Sequence, residues 1–139
     1  RPSAVYGPYD GNQRVLQKFV TRALKQLPLR IDGDGSSRLD FTYVDDAAQG
    51  IYKVAIHPDG KGQTFNITRG ESRSLREAVE IIQSELGDVS VEFGPPLGYM
   101  PDRGTLDITK ARTLVGYEPA YGLEEGLARY IEHLRHHDI

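Results

Sequence analysis

The sequence has 139 residues, a formal net charge of -3 and no cysteine, and its apolar and charged fractions are 38% and 27%. This length and composition suit one globular domain with one hydrophobic core, and they exclude disulfides, zinc ribbons and thiol catalysis. The charge gives no reason to expect a nucleic-acid or membrane partner, and because no apolar run is long enough to span a bilayer we expect a cytoplasmic protein.

The first residues open without an initiator methionine, and Ala4, Val5 and Tyr6 are typical of a strand already under way. We therefore expect that the chain is cut from a longer protein. After a turn-forming stretch, apolar residues at helical spacing predict an amphipathic helix that Pro28 ends. They are Leu16, Phe19, Val20, Ala23, Leu24 and Leu27. Strands are predicted at 29–31 and 39–44, on either side of a turn-rich segment, and we expect them to pair as a hairpin.

A second helix follows, and Asp45 or Asp46 is placed to cap its N-terminus. Its predicted buried stripe consists of Ala47, Ala48, Ile51, Val54 and Ala55. A strand is predicted at 63–68. Ser74 and Glu77 form the sequence signature of a capping box, which predicts a third helix that Gly87 ends.

The last third of the chain reads as a strand at 89–93, a Pro- and Gly-rich loop at 94–104 and two helices. Asp107 is placed to cap the first of these helices, which runs to about residue 115. The second carries Leu123, Leu127, Tyr130, Ile131 and Leu134 at helical spacing. Because strands alternate with helices, the chain is predicted to be an α/β or α+β domain.

Several short motifs occur in an order that matches a known family. They are Val5-Tyr6-Gly7-Pro8, Gly33-Asp34-Gly35, Asp40-Phe41-Thr42-Tyr43-Val44-Asp45-Asp46, Phe65-Asn66, Arg103-Gly104, Asp107-Ile108-Thr109-Lys110-Ala111-Arg112 and Gly116-Tyr117-Glu118-Pro119. Each motif is weak alone, but together they resemble the second half of the extended short-chain dehydrogenases. That family contains the NAD-dependent nucleotide-sugar epimerases and dehydratases, including UDP-glucose 4-epimerase. The resemblance covers essentially the whole chain.

The resemblance implies an α/β fold, namely the C-terminal lobe of an extended Rossmann-type short-chain dehydrogenase with a small mixed sheet and helices. Residues 1–139 would be a single nucleotide-sugar-binding lobe, and residues 1–8 the remnant of a strand from a missing Rossmann half. In the family that half holds NAD with a Gly-rich turn and carries a Tyr-x-x-x-Lys pair. Neither motif occurs in this sequence. We therefore expect no catalytic residue in this chain, and NAD bound by the missing N-terminal half.

The resemblance implies that the complete protein is an NAD-dependent NDP-sugar epimerase, first of all a UDP-sugar 4-epimerase that acts through a 4-keto intermediate. An NDP-sugar 4,6-dehydratase or a decarboxylase is the close alternative, because these reactions share the 4-keto step. A non-catalytic nucleotide-sugar-binding domain is the alternative from another class. The expected partner is a nucleotide diphosphate-sugar, in particular a UDP-sugar, and a homodimer stays open. The fragment alone is expected to bind and not to turn over.

Two phosphate charges need cationic side chains, and the resemblance assigns this role to Arg103 in the long loop. The alternative is a surface arginine paired with Asp102. The family places a second phosphate-binding arginine at position 39, where this sequence has Leu39. Arg38 is one residue away and would normally face the other side of a strand, so phosphate contact and an exposed hairpin arginine stay equally open for it.

Arg14 and Val15 match a position where the family places backbone groups near the phosphates, and the free N–H groups of a first helical turn suit an anion. Arg30, on the strand at 29–31, matches the segment whose main chain lines the base in the family. The substrate-binding candidates are therefore Arg103, Arg14, Val15, Arg30 and Arg38. No metal site is predicted. The segment from Asp32 to Tyr43 lacks the Gly and Glu of a calcium loop, and the C-terminal histidines are better explained as solvated residues.

Overall fold

Five helices and six short strands alternate along residues 1–99 and 103–137, which are the part of the chain that the computed structural model describes. In chain order they are β1 (Val5–Tyr6), α1 (Val15–Leu24), β2 (Leu29–Asp32), β3 (Arg38–Leu39), β4 (Thr42–Tyr43), α2 (Val44–Ile56), β5 (Arg73–Ser74), α3 (Leu75–Leu86), β6 (Val91–Gly94), α4 (Thr109–Val115) and α5 (Leu123–Arg135), with a single 3-10 turn (Pro58–Gly60) after α2. This order confirms the predicted α/β fold class.

The strands pair in three two-stranded sheets within the described residues. β1 with β4 and β2 with β6 are parallel pairs, whereas β3 with β5 is antiparallel. The predicted mixture of parallel and antiparallel strands is therefore present, but it is spread over separate pairs. The hairpin expected between the second and third predicted strands is wrong. β2 forms its backbone hydrogen bonds with β6, and its residues Leu29 and Ile31 are buried. The strand after the turn, β3, pairs with β5 instead.

The main core lies between α1, α3 and α5 and the strands β1, β2 and β4. The buried residues of α1 are Leu16, Phe19, Val20 and Ala23, as its spacing predicts. The helix ends three residues before Leu27, which is 43% exposed. The N–H of Leu27 donates to the Arg22 carbonyl and that of Gln26 to the Ala23 carbonyl, with Gln26 left-handed at φ 55°. This Schellman motif ends α1 before Pro28 can.

The predicted buried stripe of α2 is confirmed at Ala47 and partly at Val54, and it is wrong at Ala48, Ile51 and Ala55, which are exposed. The helix buries Asp46, Ala47 and Gly50, whereas Ile51 is 55% and Ile56 62% exposed. The predicted cap is also wrong, because Tyr43 is the N-cap residue and no side chain caps the helix. Instead both carboxylate oxygens of Asp46 accept backbone N–H bonds from Ala120 and Tyr121, at 2.8 and 2.9 Å. A buried carboxylate needs such partners, and this need turns the Asp46 side of α2 inward.

The strand predicted at 63–68 reduces to one parallel bridge, between Pro2 and Ile67. The remaining residues there belong to no strand, and the N-terminal amine of Arg1 donates to the Phe65 carbonyl at 2.8 Å. Since a strand needs a neighbour along its length, the few residues at the N-terminus support only one bridge. Phe65 and Ile67 belong to a second, smaller core with residues of α4 and the segment after it.

Two predicted helix starts differ in how they are capped. The capping box at the start of α3 is confirmed, since Ser74 Oγ accepts from the Glu77 N–H and the Glu77 carboxylate accepts from the Ser74 N–H. Asp107 lies one residue before the N-cap of α4, and its carboxylate accepts from the Thr109 N–H at 2.8 Å. Within the described residues, none of the helices has the length and apolar character that a membrane crossing requires.

Candidate anion-binding cleft

A cleft of about 1550 Å³ opens along β2 and β6 and beyond their carboxyl ends. The parallel register of these strands places Asp32 opposite Gly94, so both strands end at the same edge. Ligands of parallel α/β sheets bind at such edges. One face of α1, the turn after β2, the start of α3 and Arg103 complete the walls.

The walls of the cleft are basic although the chain as a whole is acidic. Among the described residues, seven basic side chains line it, namely Lys18, Arg22, Lys25, Arg30, Arg38, Arg76 and Arg103. Three acidic side chains, Asp32, Asp34 and Glu92, also line it, whereas the whole chain has a net charge of -3. Positive charge concentrated in a concave surface raises the local concentration of anions. The cleft therefore suits an anionic ligand.

Arg103 lies on the cleft, is exposed, and makes no hydrogen bond or ion pair with the other residues that the structure describes. The partner considered for it, Asp102, lies outside the described residues. The chain just after Arg103 is firmly held. Thr105 Oγ1 donates to Ser72 Oγ at 2.8 Å and accepts from the Ser72 N–H at 3.0 Å, and the Leu106 N–H donates to Asp40 at 3.0 Å.

Asp40 is the buried anchor of this loop. It is fully buried, and its carboxylate accepts three hydrogen bonds, from the Thr68 hydroxyl at 2.9 Å and from the N–H groups of Gly70 and Leu106 at 3.0 Å each. Thr68 and Gly70 belong to one segment of the chain, and Leu106 belongs to another. A buried carboxylate with this set of donors fixes where the segment after Arg103 begins.

Arg38 also lines the cleft, but its guanidinium is already occupied. Its Nη2 donates to the Ser72 carbonyl at 2.6 Å, its Nε to Ser72 Oγ at 3.2 Å and its Nη1 to Glu77 at 3.2 Å. Leu39 lines the cleft as well and packs partly against the main core. Arg38 therefore braces the start of α3 against Ser72, which in turn holds Thr105 near Arg103.

The other candidates divide into two groups. Val15 and Arg30 line the cleft with Arg103, and Arg30 pairs with Asp32 at 3.7 Å. Arg14 is not among the residues that line it. Its Nη1 donates to the Val5 carbonyl at 3.2 Å, which draws the side chain toward β1. The Arg14 side chain therefore does not line the cleft with Arg103, whereas the helix start that Arg14 caps does reach it, and the assignment of Arg14 to substrate binding stays a prediction.

Four cationic residues of the cleft are missing from the sequence-based candidates, namely Lys18, Arg22, Lys25 and Arg76. Lys18 falls on the polar face of an amphipathic helix, where a lysine carries no signal of its own. Arg76 lies within the capping box of α3, and only the fold brings it to the turn after β2. Helical spacing predicts which side of α1 is exposed, but it does not predict which other segments face that side across the cleft.

The turn after β2 is held by Asp34, whose carboxylate accepts from the Ser36 hydroxyl at 2.6 Å and the Ser36 N–H at 2.9 Å. These bonds lower the pKa of Asp34 below its ordinary value, so the side chain is ionised and committed to the turn. Among the described residues, no group of three or more His, Cys, Asp or Glu side chains is arranged to hold a metal ion.

The sequence matches the model of the NAD dependent epimerase/dehydratase family over residues 1–68. It is 36% identical to UDP-glucose 4-epimerase of Mycolicibacterium smegmatis over 139 aligned residues, which cover 96% of this chain and 44% of that protein. It is 31% identical to UDP-glucuronic acid decarboxylase 2 of Arabidopsis thaliana, covering 94% of this chain and 29% of that protein.

The fold matches a crystal structure of UDP-glucuronic acid 4-epimerase from Bacillus cereus in complex with UDP-glucuronic acid and NAD. The TM-score is 0.91 at 28% sequence identity, and the match covers 97% of this chain and 44% of that one. The chain thus spans less than half the length of these relatives, and it matches them along almost all of its own length.

Proposed function

Because this chain resembles the NAD-dependent epimerase/dehydratase family in sequence and in fold, we propose that it is the nucleotide-sugar-binding lobe of an enzyme of that type. Residues 1–139 form this lobe in the proposal, and residues 1–8 belong to a strand shared with another part of the complete protein. The observation that carries the proposal is the basic cleft, in which Arg103 has no partner among the described residues.

The diphosphate of the ligand is proposed to bind between Arg103 and the start of α1. No side chain caps α1 at its N-terminus, and its first turn contains no acidic residue. Val15 and Gln17 of this turn line the cleft. Backbone N–H groups at a helix start and an arginine fork are the usual partners of a phosphate group.

The base of the nucleotide is proposed to lie along β2. Within the described residues β2 pairs only with β6, so its other edge keeps backbone donors and acceptors available. Arg30, Ile31 and Asp32 of this strand line the cleft. Backbone groups of this kind recognise a base by hydrogen bonds without requiring particular side chains.

The residues of this chain do not fit NAD. The sequence has no Gly-rich turn of the dinucleotide-binding type and no Tyr-x-x-x-Lys pair. In the described part of the chain β1 leads into Gly7 and Pro8, and the next helix begins only at Val15. We therefore propose that NAD is held by another part of the complete protein, and that this chain contributes binding and orientation of the sugar nucleotide.

The reaction proposed for the complete protein is the 4-epimerisation of a UDP-sugar. Supporting this choice, the relative that is 36% identical is a UDP-glucose 4-epimerase, and the B. cereus structure is a UDP-glucuronic acid 4-epimerase in complex with UDP-glucuronic acid. Decarboxylation of a UDP-uronic acid is the second candidate, because the A. thaliana relative is a UDP-glucuronic acid decarboxylase. Incubation of the complete protein with UDP-glucose and with UDP-glucuronic acid separates the two, since only decarboxylation releases carbon dioxide.

The binding proposal is tested by titrating the 139-residue chain with UDP-, GDP-, CDP- and TDP-sugars in a calorimeter. We expect UDP-sugars to bind, and Arg103→Ala to weaken that binding by about tenfold or more, because a charge-assisted hydrogen bond to phosphate is lost. Arg135→Ala removes the same charge from the end of α5, away from the cleft lining, and should leave the affinity unchanged. An unchanged dissociation constant for Arg103→Ala would contradict the assignment.

A further inference from the structure

The turn after β2 and the start of α3 hold one arginine of the cleft in a fixed position. The Nε of Arg76 donates to the Asp34 carbonyl at 2.5 Å, and its guanidinium lies 5.0 Å from the centre of the Phe93 ring. These two contacts use the Nε and one face of the guanidinium. Among the described residues, neither Nη group of Arg76 has a hydrogen-bond partner.

Gly35 makes room for this arrangement. It is left-handed at φ +80° and buried, and a Cβ at this position would lie 2.8 Å from Cγ of Arg76. Only a residue without a side chain lets the Arg76 stem cross the turn at this distance. The Arg76 guanidinium is therefore positioned by Gly35, the Asp34 carbonyl and the Phe93 ring.

Two other arginines of the cleft, Arg38 and Arg30, are less available for a ligand. Arg38 uses its Nε and both Nη groups on Ser72 and Glu77, and Arg30 pairs with Asp32. The first N–H groups of α3 are also occupied, because Leu75 donates to the Ser37 carbonyl and Arg76 to the Gly35 carbonyl. An anion at this end of the cleft must therefore be held by side chains.

We propose that Arg76 is a second phosphate-contacting cation of this cleft, in addition to Arg103. Its two free Nη groups form a fork that can bind two oxygens of one phosphate group. The inference rests on the proposed function only in taking the ligand of the cleft to be a diphosphate. It adds a specific residue to the site.

The test is calorimetric titration of inorganic pyrophosphate and of UDP into the 139-residue chain. Arg76→Gln is expected to weaken both ligands by about tenfold or more, and Arg76→Lys by an intermediate amount, since lysine keeps the charge but lacks the fork. Phe93→Leu removes the ring beneath the guanidinium, leaves every charge in place and is expected to weaken binding by about threefold. If Arg76→Gln folds poorly, the affinity of Phe93→Leu tests the same proposal independently.

Arg129→Gln is the matched control. Arg129 also lies 5.0 Å from an aromatic ring centre, that of Tyr121, and also donates one side-chain hydrogen bond, but it does not line the cleft. We expect it to bind both ligands like the unmodified chain. A tenfold loss with Arg129→Gln would mean that overall charge causes the effect, and it would overturn the inference.

The two proposals fail in distinguishable ways. If Arg76→Gln and Phe93→Leu bind like the unmodified chain while Arg103→Ala loses affinity, the inference about Arg76 is overturned and the proposed function stands. If the unmodified chain binds neither pyrophosphate nor UDP, both are overturned.

Discussion

At the scale of single residues, Asp40 connects the folded core to the candidate site. Its carboxylate joins Thr68, Gly70 and Leu106, and Leu106 lies three residues after Arg103. No other charged residue in the described part of the chain is as completely buried. Asp40 is thus a positioning residue for the arginine that carries the proposed function.

We expect Asp40→Asn to lower the free energy of unfolding by about 1–3 kcal/mol, because the amide leaves at least one buried N–H without an acceptor. Thermal unfolding followed by circular dichroism measures this loss. Asp107→Asn is the control, since Asp107 is exposed and asparagine can still accept the N–H of Thr109. Equal melting temperatures for Asp40→Asn and the unmodified chain would contradict the role given to Asp40.

At the scale of secondary-structure elements, the start of α3 is fixed by one carboxylate. Glu77 accepts from the Ser74 N–H at 2.7 Å, from Arg73 at 2.9 Å and from Arg38 at 3.2 Å. The bonds with Ser74 and Arg73, led by the one from the Ser74 backbone, lower the pKa of Glu77 from 4.5 to about 2. The helix that carries Arg76 is therefore held by an ionised group.

The pH dependence of this contribution has a definite sign. Because the pKa of Glu77 is lower in the folded chain, its contribution to stability is complete above pH 4.5 and is lost as the pH falls from 4.5 toward 2. Glu77→Gln should destabilise the chain by about 1 kcal/mol at pH 7, and the difference should shrink at pH 2.5. Urea unfolding at the two pH values measures it.

Glu80→Gln is the control for this experiment, since Glu80 lies exposed on the same helix and has no partner among the described residues. It should change stability by less than about 0.5 kcal/mol at either pH. A destabilisation by Glu77→Gln that is equally large at pH 7 and pH 2.5 would show that the carboxylate charge is not what stabilises α3.

At the scale of the whole molecule, an apolar face of α2 lies open to solvent. Ile51, Tyr52 and Ile56 are 55%, 62% and 62% exposed. Ile51 lies beside the Pro2 to Ile67 bridge, because Ile51 and Ile67 line one small cavity. A face of this kind is expected to associate in solution when nothing covers it.

We therefore expect the 139-residue chain to associate with itself as its concentration rises. The double variant Ile51→Glu and Ile56→Glu should shift it toward the monomer and change the free energy of unfolding by less than about 1 kcal/mol, because both side chains are already exposed. Size-exclusion chromatography with light scattering measures the association. Leu27→Glu, a charge at an exposed apolar residue outside α2, should leave it unchanged. A monomeric unmodified chain at high concentration would contradict this expectation.

Local patterns predicted much of the fold. The spacing of apolar residues predicted the buried face of α1, and Ser74 with Glu77 predicted the start of α3, because both depend on contacts within one or two turns of chain. The buried face of α2 was not predictable in this way. Its apolar stripe favours burial of Ile51, but the hydrogen bonds that Asp46 accepts from the N–H groups of Ala120 and Tyr121 turn the side of Asp46 and Gly50 inward.

The candidate site, too, was only partly predictable from the sequence. Motif order identified the family resemblance and singled out Arg103, Val15 and Arg30, which the structure places on one cleft. Motif order did not reveal that Arg14 turns to Val5, that Arg38 is occupied by Ser72 and Glu77, or that Arg76 is held by the turn after β2.

By itself, then, the sequence determined the fold class and the family resemblance and predicts a nucleotide-sugar ligand, because residue types in a fixed order carry this information directly. Which cations remain available to that ligand was decided only by the tertiary structure. A guanidinium is available or occupied according to the carbonyls and carboxylates near it, and these come from segments far away along the chain.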